Sequence, residues 1–324
     1  MKRIDIVRAA VRRFRHLPVR TIARHLINTH GDMFGGDLEK ARSAVRTVMG
    51  RNGEVIRNST HPDDFQLGER DIKMPVTWIK RKPAYTLPAG LWGILADVHI
   101  PFHEPQPLAA AIEYFEAQQV TGLLLNGDMF DCSAVGFWPN AHRDFNAELE
   151  SFIDFLDILR YRFADKPIVY KPGNHEYRLP RYFVSQAPDL AESPLAAMET
   201  VCGFEERNIT FLDYFQKVYA GKLPIIHGHE MRTIDRAVNP ARGLFLKAKT
   251  FAACSHCHST SEHTARDLNG EIITTWSTGC LCDLEPDYNP YGNNWNWGFA
   301  LVNVDKSGGF EFENRRVMPS GKVK

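Results

Sequence analysis

The chain has 324 residues, equal numbers of basic and acidic side chains, and 44% hydrophobic residues, which is ordinary for a folded domain and unlike a disordered chain. This length allows one large domain and a small appendage, because single hydrophobic cores stop growing near roughly 250–300 residues. Its apolar runs, such as Leu91 to Ala96, are far shorter than the roughly 20 residues of a membrane span, and Arg8, Arg12 and Arg13 interrupt any signal sequence. Six cysteines are too few for a disulfide scaffold, so we expect a cytoplasmic protein without membrane contact.

The first 51 residues are predicted to form a small all-α, helix-turn-helix-like module. Apolar residues recur at helical spacing in three segments, separated by Pro18 and Gly31. Asp37 is a suitable N-cap for the third. The predicted helices are Ile4 to Arg15, Val19 to Thr29 and Asp37 to Met49.

Basic charge is concentrated in this part of the chain. Residues 1–60 hold 13 lysines and arginines against 5 acids, a balance of +8, whereas the remainder has a balance of −8. Such asymmetry favours nucleic-acid contact, although a solvated helical face gives the same pattern. Arg42 and Arg46 are four residues apart, share one side of the third helix, and are the candidate nucleic-acid contacts.

Residues 52–89 are predicted to be a linker or arm, because they are polar and contain four prolines. One weak strand candidate lies there, from Val76 to Ile79.

Residues 90–324 are predicted to form the second domain. Short apolar runs there each end in a polar cluster and suit buried strands: Leu91 to Ala96, Gly122 to Leu125, Ile168 to Tyr170, Leu223 to Ile226 and Thr250 to Ala253.

Helical segments alternate with these strands, at Pro107 to Gln118 and Asp144 to Phe163. The second is predicted to turn inward a set of apolar residues: Leu149, Phe152, Ile153, Phe155, Leu156 and Ile158. The chain closes with a strand, Ile272 to Trp276, and a hairpin, Phe299 to Val304 and Phe310 to Phe312, turning at Gly308-Gly309. This alternation predicts a layered α/β domain with its site beyond the strand ends.

The polar clusters carry the chemistry. They are Asp97-x-His99, Gly127-Asp128-x-x-Asp131, Gly173-Asn174-His175-Glu176, His227-Gly228-His229 and His256-x-His258. A single histidine after a strand is more often structural than a ligand. Six of the 13 histidines fall in these clusters, however, and imidazole mixed with carboxylate suits Mn²⁺, Zn²⁺, Fe or Ni²⁺. Two close ions need a shared ligand, which the carboxylate of Asp128 can supply.

From about Leu91 onward the chain resembles the calcineurin-like metallophosphoesterases, whose signature has these five parts in this order. The resemblance implies an αββα metallophosphoesterase sandwich and a pair of divalent metal ions, with Mn²⁺ the expected metal and Zn²⁺, Fe or Ni²⁺ the alternatives. It implies that Asp128 bridges the ions, that Asp97, His99 and His258 bind one, and that Asn174, His227 and His256 bind the other. It makes His175 the general acid and Asp131 the residue that orients it. With its N-terminal helical module, the chain is also similar to phage- and prophage-encoded members.

Several residues keep two interpretations. Asp131 could instead be a helix N-cap, and Arg178 either contacts substrate phosphate or forms a surface salt bridge. Ser255 replaces the family's usual glycine, and Cys132-Ser133 follow Asp131 where the protein serine/threonine phosphatases have Arg-Gly, which disfavours that activity. Cys254, Cys257, Cys280 and Cys282 form a four-thiolate zinc site or pack in the core. The aromatic residues of 283–297 either stack on a base or sugar or anchor the loop.

The expected activity is hydrolysis of a phosphate ester by a phosphodiesterase, with DNA or another nucleic acid as the favoured substrate. The second hypothesis is an enzyme for small or cyclic nucleotides, in which the N-terminal module serves assembly. The third is a DNA-binding regulator with a structural metal site, which the additional presence of His175 disfavours.

Overall fold

A computed structural model describes residues 2–49, 76–77, 79, 82–137, 144–232, 234 and 237–324. The chain divides into two compact units, Met1–Ile79 and Lys80–Lys324. Most of the predicted linker therefore lies outside the described residues.

Within residues 2–49, the N-terminal unit contains three α-helices, α1 (Arg3–Arg13), α2 (Val19–His30) and α3 (Leu38–Met49), with a 3-10 turn at Gly31–Phe34. Each helix turns one apolar face inward, and Val7, Leu26 and Val45 are almost completely buried. The Asp37 carboxylate accepts hydrogen bonds from the backbone of Glu39 (2.8 Å) and Lys40 (3.3 Å), which confirms it as the cap of α3. The three predicted helices are confirmed to within two residues at each end.

The second unit is built on two six-stranded sheets. Sheet 1 has the order β1-β6-β7-β8-β10-β9, and its strands are Tyr85–Leu87, Val218–Ala220, Leu223–Ile226, Ala252–Cys254, Ile272–Ser277 and Ser261–Arg266, in that order. Sheet 2 has the order β12-β11-β2-β3-β4-β5, with strands Phe310–Arg316, Gly298–Val304, Gly90–Leu95, Gly122–Asn126, Ile168–Lys171 and Ile209–Phe211. Strands β2, β3, β4 and β5 are parallel neighbours, as are β7 and β8.

The sheets pack face to face and carry helices on their outer sides. Trp92, Leu124 and Val169 of sheet 2 share one buried cluster with Ile225 and Ala253 of sheet 1. On the outer face of sheet 2 lie α4 (Pro105–Ala117) and α5 (Phe145–Arg162), while α8 (Pro240–Ala248) covers sheet 1. Two shorter helices are α6 (Arg178–Gln186) and α7 (Met198–Val201). The predicted αββα sandwich is confirmed.

Three details differ from the sequence prediction. Residues Tyr85–Leu87, expected in the linker, form β1 and pair in parallel with β6. Val76, Thr77 and Ile79 are not in a strand, and Trp78 lies outside the described residues. Ile158 is 52% exposed, because the buried face of α5 follows the spacing of Phe152, Phe155, Leu156 and Leu159.

Within the described part of the chain, no helix is both long and apolar enough to cross a membrane. The cytoplasmic location stays a prediction.

Candidate functional site

The predicted metal ligands all follow the carboxyl ends of central strands. Asp97 and His99 come after β2, Asp128 after β3 and Asn174 after β4, and these three strands are parallel neighbours in sheet 2. In sheet 1, His227 follows β7, while His256 and His258 follow β8. Parallel strands bring their carboxyl ends to one edge of a sheet, so ligands more than 150 residues apart in the chain meet there.

Two groups of ligand atoms lie side by side. In the first, His258 Nε2 is 3.2 Å from His99 Nε2 and 3.4 Å from Asp97 Oδ1. In the second, Asp128 Oδ2 is 3.1 Å from His227 Nε2, and His256 offers a further nitrogen within 4.8 Å. Asp128 Oδ2 is also 4.0 Å from His99 Nε2. The Asp128 carboxylate thus stands between the groups, where a bridging ligand is needed.

Unsatisfied atoms show that the residues fit a cation. Asp97 Oδ1, Asn174 Oδ1 and His227 Nε2 are buried and make no hydrogen bond. Leaving a buried polar atom without a partner costs about 1–3 kcal/mol, and such atoms call for a specific explanation. Metal coordination supplies one, because each of the three offers a lone pair.

The outer nitrogens of the imidazoles are held by neighbouring groups. His227 Nδ1 donates to the Asn126 carbonyl oxygen at 2.8 Å, so Nε2 is the nitrogen left to face the site. His99 Nδ1 is 2.9 Å from Asp131 Oδ2. His258 Nδ1 is 3.8 Å from Cys282 Sγ. In all three rings, Nε2 is the nitrogen directed at the carboxylate of Asp97 or Asp128.

Five of the seven predicted ligands have left-handed backbone conformations. Their φ angles lie between 52° and 67°, at Asp97, His99, Asp128, His256 and His258. This conformation costs about 1–2 kcal/mol for a residue with a Cβ and is found mainly where function requires it. Backbone hydrogen bonds hold three of these residues, from Asp97 to Gly127 O, from His99 to Asp128 O and from His256 to Asp97 Oδ2.

Glycines allow the ligand loops to approach closely. A Cβ at Gly127 would lie 2.5 Å from His227 Nδ1, and one at Gly173 would lie 2.3 Å from Asp128 Oδ1. The backbone N–H of His175 donates to the same Asp128 oxygen at 2.9 Å. Asn174 is therefore flanked by two residues in contact with Asp128.

Glu176 follows His175 in the third polar cluster and organises the loops around it, a role that the sequence did not reveal. Its Oε2 accepts hydrogen bonds from the backbone N–H groups of Asp128 (3.0 Å) and Gly173 (2.7 Å). Its Oε1 accepts from Met129 N (2.8 Å), Phe130 N (3.2 Å) and the Tyr170 hydroxyl (2.6 Å). This fully buried carboxylate ties the loop after β3 to the loop after β4.

A buried ion pair holds the loop after β7 in the same way. Lys171 Nζ is completely buried and lies 2.6 Å from Glu230 Oε1. Glu230 also accepts hydrogen bonds from the N–H groups of His227 (3.4 Å) and Gly228 (2.7 Å). Burial raises the pKa of Glu230, but Lys171 lowers it to about 2, so the carboxylate is ionised. Lys171 ends β4 of sheet 2, and the pair therefore links the two sheets beside the ligands.

Ser255 is a further residue whose role the sequence did not reveal. Its hydroxyl accepts hydrogen bonds from Asn126 Nδ2 and Thr278 Oγ1, both at 2.9 Å. Asn126 Nδ2 also donates to the Ile226 carbonyl at 2.9 Å. The serine at the usual glycine position thus links the end of β3 to the segments that follow β8 and β10, while Asn126 itself bonds to β7.

The acids of the site are ionised and attract positive charge. Burial raises the pKa of Asp97 and Asp128, but the neighbouring histidines lower it more, leaving both below the ordinary aspartate range. Burial lowers the pKa of His227, whereas Asp128 and Asp97 raise it to about 10. Burial and the nearby His227 lower the pKa of His256 to about 4.

His175, Asp131 and Arg178 form a cluster at one side of Asp128. His175 Nδ1 is 3.0 Å from Asp131 Oδ2, and its Nε2 is 3.8 Å from Asp128 Oδ2. Arg178 Nη1 donates to Asp131 Oδ1 at 3.0 Å, and Nη2 lies 3.0 Å from His175 Nε2. Burial lowers the pKa of His175, but Asp128 and Asp131 raise it more, for a net upward shift.

Of the two interpretations of Asp131, the geometry favours orientation of an imidazole over helix capping. The next helical turn, Ser133–Val135, has Cys132 as its N-cap. The Asp131 carboxylate instead contacts both His99 and His175. Arg178 does form an ion pair, but with Asp131 inside the site.

The remaining candidates are two arginines of α3, His229 and the cysteines. Arg42 pairs with Glu39 on α3 and is half-buried, whereas Arg46 is exposed. His229 stands beside the site, its ring 5.4 Å from that of His227. All six cysteines are free, and no group of four comes together within the described ranges, so the zinc-thiolate interpretation is not supported.

Comparisons with solved structures find several proteins to which the chain is similar at low sequence identity. The chain is similar to vacuolar protein sorting 29 from Cryptosporidium parvum, with 14% identity, a TM-score of 0.39, and coverage of 73% of this chain and 96% of that one. Yfce, a phosphoesterase from E. coli, has 14% identity and a TM-score of 0.32, over 69% of this chain and 98% of its own. A dimetal phosphatase from Danio rerio has 10% identity and a TM-score of 0.35, over 72% and 97%. A search of the curated proteins finds no match.

The family model for calcineurin-like phosphoesterases matches residues 93–290, which include every predicted metal ligand and the His175 cluster. This match covers more than half of the chain. The chain therefore belongs to the calcineurin-like phosphoesterase family and is a phosphoester hydrolase.

Proposed function

We propose that the protein is a phosphodiesterase that cleaves nucleic acid with two divalent metal ions. One ion would be held by Asp97, His99 and His258, the other by Asn174, His227 and His256, with Asp128 shared between them. When bound, such ions supply a nucleophilic water and offset the charge of the phosphoryl oxygens. Mn²⁺ is the proposed metal, since nitrogen and carboxylate donors are mixed in the site.

The observation that carries the proposal is the His175 cluster beside the ligand set. Asp131 holds Nδ1 of His175, so Nε2 is the atom that can give a proton to the leaving oxygen. The Arg178 guanidinium can only donate hydrogen bonds, so its contact with His175 Nε2 requires a lone pair on that nitrogen. A phosphoryl oxygen of the substrate is a strong acceptor that can draw Arg178 away. His175 Nε2 can then take up a proton from solvent, favoured by the nearby carboxylates of Asp128 and Asp131, and give it to the leaving oxygen.

The preference for a nucleic acid rests on charge. The balance of +8 in residues 1–60 suits a polyanion, and the exposed Arg46 is its best-placed candidate contact. The Cys132-Ser133 pair after Asp131 argues against a protein phosphatase. One observation favours the small-nucleotide alternative, namely the exposed acids Asp283, Glu285 and Asp287 in the loop that ends beside His258.

A substrate panel with Mn²⁺ tests the proposal. It compares bis-p-nitrophenyl phosphate, p-nitrophenyl phosphate, cyclic nucleotides, and single- and double-stranded DNA. We expect His175→Gln to retain metal and to slow DNA cleavage by roughly 10²–10⁴, with a smaller loss on p-nitrophenyl esters, whose leaving group needs no proton. His263→Gln is the control, because this histidine lies on β9 and packs against Phe245.

Two results would contradict the proposal. If His175→Gln loses the same factor in cleavage rate on DNA and on p-nitrophenyl esters, His175 is not the general acid. Cleavage of cyclic nucleotides or monoesters, with none of DNA or other diesters, would favour the small-nucleotide alternative.

A further inference from the structure

An aromatic loop, residues 283–297, runs from the end of the Cys280–Cys282 segment to β11 and contains Tyr288, Tyr291, Trp295 and Trp297. Its carboxyl end is fixed to the metal-ligand segment: Asn296 N donates to the His258 carbonyl at 2.9 Å. The Asn296 side chain accepts from Thr260 N at 2.9 Å. These bonds hold the loop in a defined position beside His258.

The loop is also braced from within. Asn293 Nδ2 donates to Leu284 O at 2.8 Å and to Asn289 O at 3.0 Å, and Asn293 Oδ1 accepts from Trp295 N at 3.1 Å. Its aromatic side chains are therefore pre-positioned, and a ligand that stacks on them need not order them first.

One of these rings lies against a predicted metal ligand, and a second ring lies against the first. The Trp295 ring lies 4.1 Å from the His258 ring, and the Tyr288 ring lies 6.3 Å from Trp295. Tyr288 is nevertheless 77% exposed, and Trp295 is only half-buried. We call this pair the aromatic platform.

The loop has a packing anchor separate from the platform. Trp297 has that role, since its indole N–H donates to the Cys282 carbonyl at 3.0 Å and it packs against the core of the domain. An exposed tyrosine whose ring leans on a half-buried tryptophan presents free aromatic surface at the edge of the metal site.

Charge restricts what can occupy this surface. Residues 283–297 contain three acids, Asp283, Glu285 and Asp287, and no lysine or arginine. A run of further phosphates would be repelled there, whereas a neutral aromatic ring would not. Stacking of a nucleobase on an aromatic side chain is worth about 1–3 kcal/mol per base and needs no positive charge.

We propose that Tyr288 and Trp295 bind the nucleobase next to the phosphoryl group held at the metal ligands. This inference deepens the proposed function and rests on it, because the bound phosphate is what brings the base to the platform. The enzyme would then recognise a nucleotide unit, at a chain end or free, by its base as well as its phosphate.

Calorimetric titration of the full-length, Mn²⁺-loaded protein tests the inference without relying on turnover. The two probes are adenosine 5′-monophosphate and ribose 5-phosphate, which share sugar and phosphate and differ by the base. We expect the first to bind roughly 5- to 150-fold more tightly, the equivalent of the stacking energy. The ratio of the two dissociation constants should approach one in Trp295→Ala and fall in Tyr288→Ala. Trp295→Phe, which keeps a ring, should retain part of the preference for the probe with the base.

Tyr291→Ala is the matched control, because Tyr291 belongs to the same loop, is 88% exposed and is not part of the platform. It should keep the full preference. Equal binding of the two probes by the unchanged protein would overturn the inference, as would a preference that survives Tyr288→Ala undiminished. Tyr288 is exposed, so its variant remains decisive even if Trp295→Ala fails to fold.

The two proposals fail separately. Hydrolysis of diesters together with equal probe binding would refute the platform alone. A base preference in a protein that cleaves no diester would refute the phosphodiesterase and retain the platform as a nucleotide-binding surface.

Discussion

Replacing Glu176 with glutamine keeps its shape and removes its charge and one acceptor oxygen. If the amide nitrogen takes the position of Oε2, the buried N–H groups of Asp128 and Gly173 lose their partner and face another donor. If it takes the position of Oε1, three donors lose theirs. Hydrogen bonds to a charged group are worth about 1.5–3 kcal/mol each, so two lost bonds should lower the free energy of unfolding by about 3–6 kcal/mol.

For a domain of this size, 1 kcal/mol shifts the melting temperature by about 2–4 °C, and the expected loss is therefore about 6–24 °C. Thermal unfolding followed by circular dichroism measures it, and calorimetric titration with Mn²⁺ should show weaker binding, because the same bonds position Asp128. Glu205→Gln is the control, since this glutamate is exposed and its variant should stay within about 0.5 kcal/mol. A melting temperature for Glu176→Gln within 2 °C of the unchanged protein would show that the carboxylate does not organise the loops.

Three further changes test other parts of the molecule. Asp128→Asn should reduce both the metal content and diester turnover, because the shared carboxylate offsets the repulsion between two close cations. Element analysis that still finds two ions per chain, together with full activity, would contradict this expectation. Lys171→Met should lower the free energy of unfolding, measured in urea, by about 3–5 kcal/mol, because it leaves Glu230 buried without its partner. The double variant Lys171→Met, Glu230→Gln should recover part of this loss. If Lys171→Met is as stable as the unchanged protein, the ion pair does not link the sheets. Arg46→Ala should weaken DNA binding and reduce the slope of the logarithm of the binding constant against the logarithm of the salt concentration by about 0.9. Arg266→Ala is the control, because Arg266 is exposed on β9, and it should leave this slope unchanged. Identical slopes for the two variants would show that Arg46 makes no phosphate contact.

The sandwich and its ligand-bearing strand ends were predictable because their signals are local. A buried strand such as β3 is a continuous apolar run, and Asp128 follows directly after it. The parallel order of neighbouring strands then brings such residues together without any knowledge of long-range contacts. The order of the five clusters supplied the family.

Edge strands and supporting contacts were not predictable in this way. The edge strand β9, Ser261–Arg266, alternates half-buried and exposed polar residues, so it has no apolar run to reveal it. The short β1 pairs with a strand more than 130 residues later. Glu176, Glu230 and Ser255 act through partners distant in the chain, and nothing in their immediate sequence distinguishes them from ordinary polar residues.

Five of the predicted ligands have left-handed backbones, and this strain is expected to set stability against metal binding. At about 1–2 kcal/mol for each of five residues, their backbone strain amounts to about 5–10 kcal/mol, comparable with the whole net stability of a typical domain. Glycine at any of these positions would relieve the strain and delete a ligand. Selection for heat resistance alone would therefore erode the metal site first. A cation bound only by the folded state returns part of this free energy, so metal supply and resistance to unfolding are expected to rise and fall together in the cell.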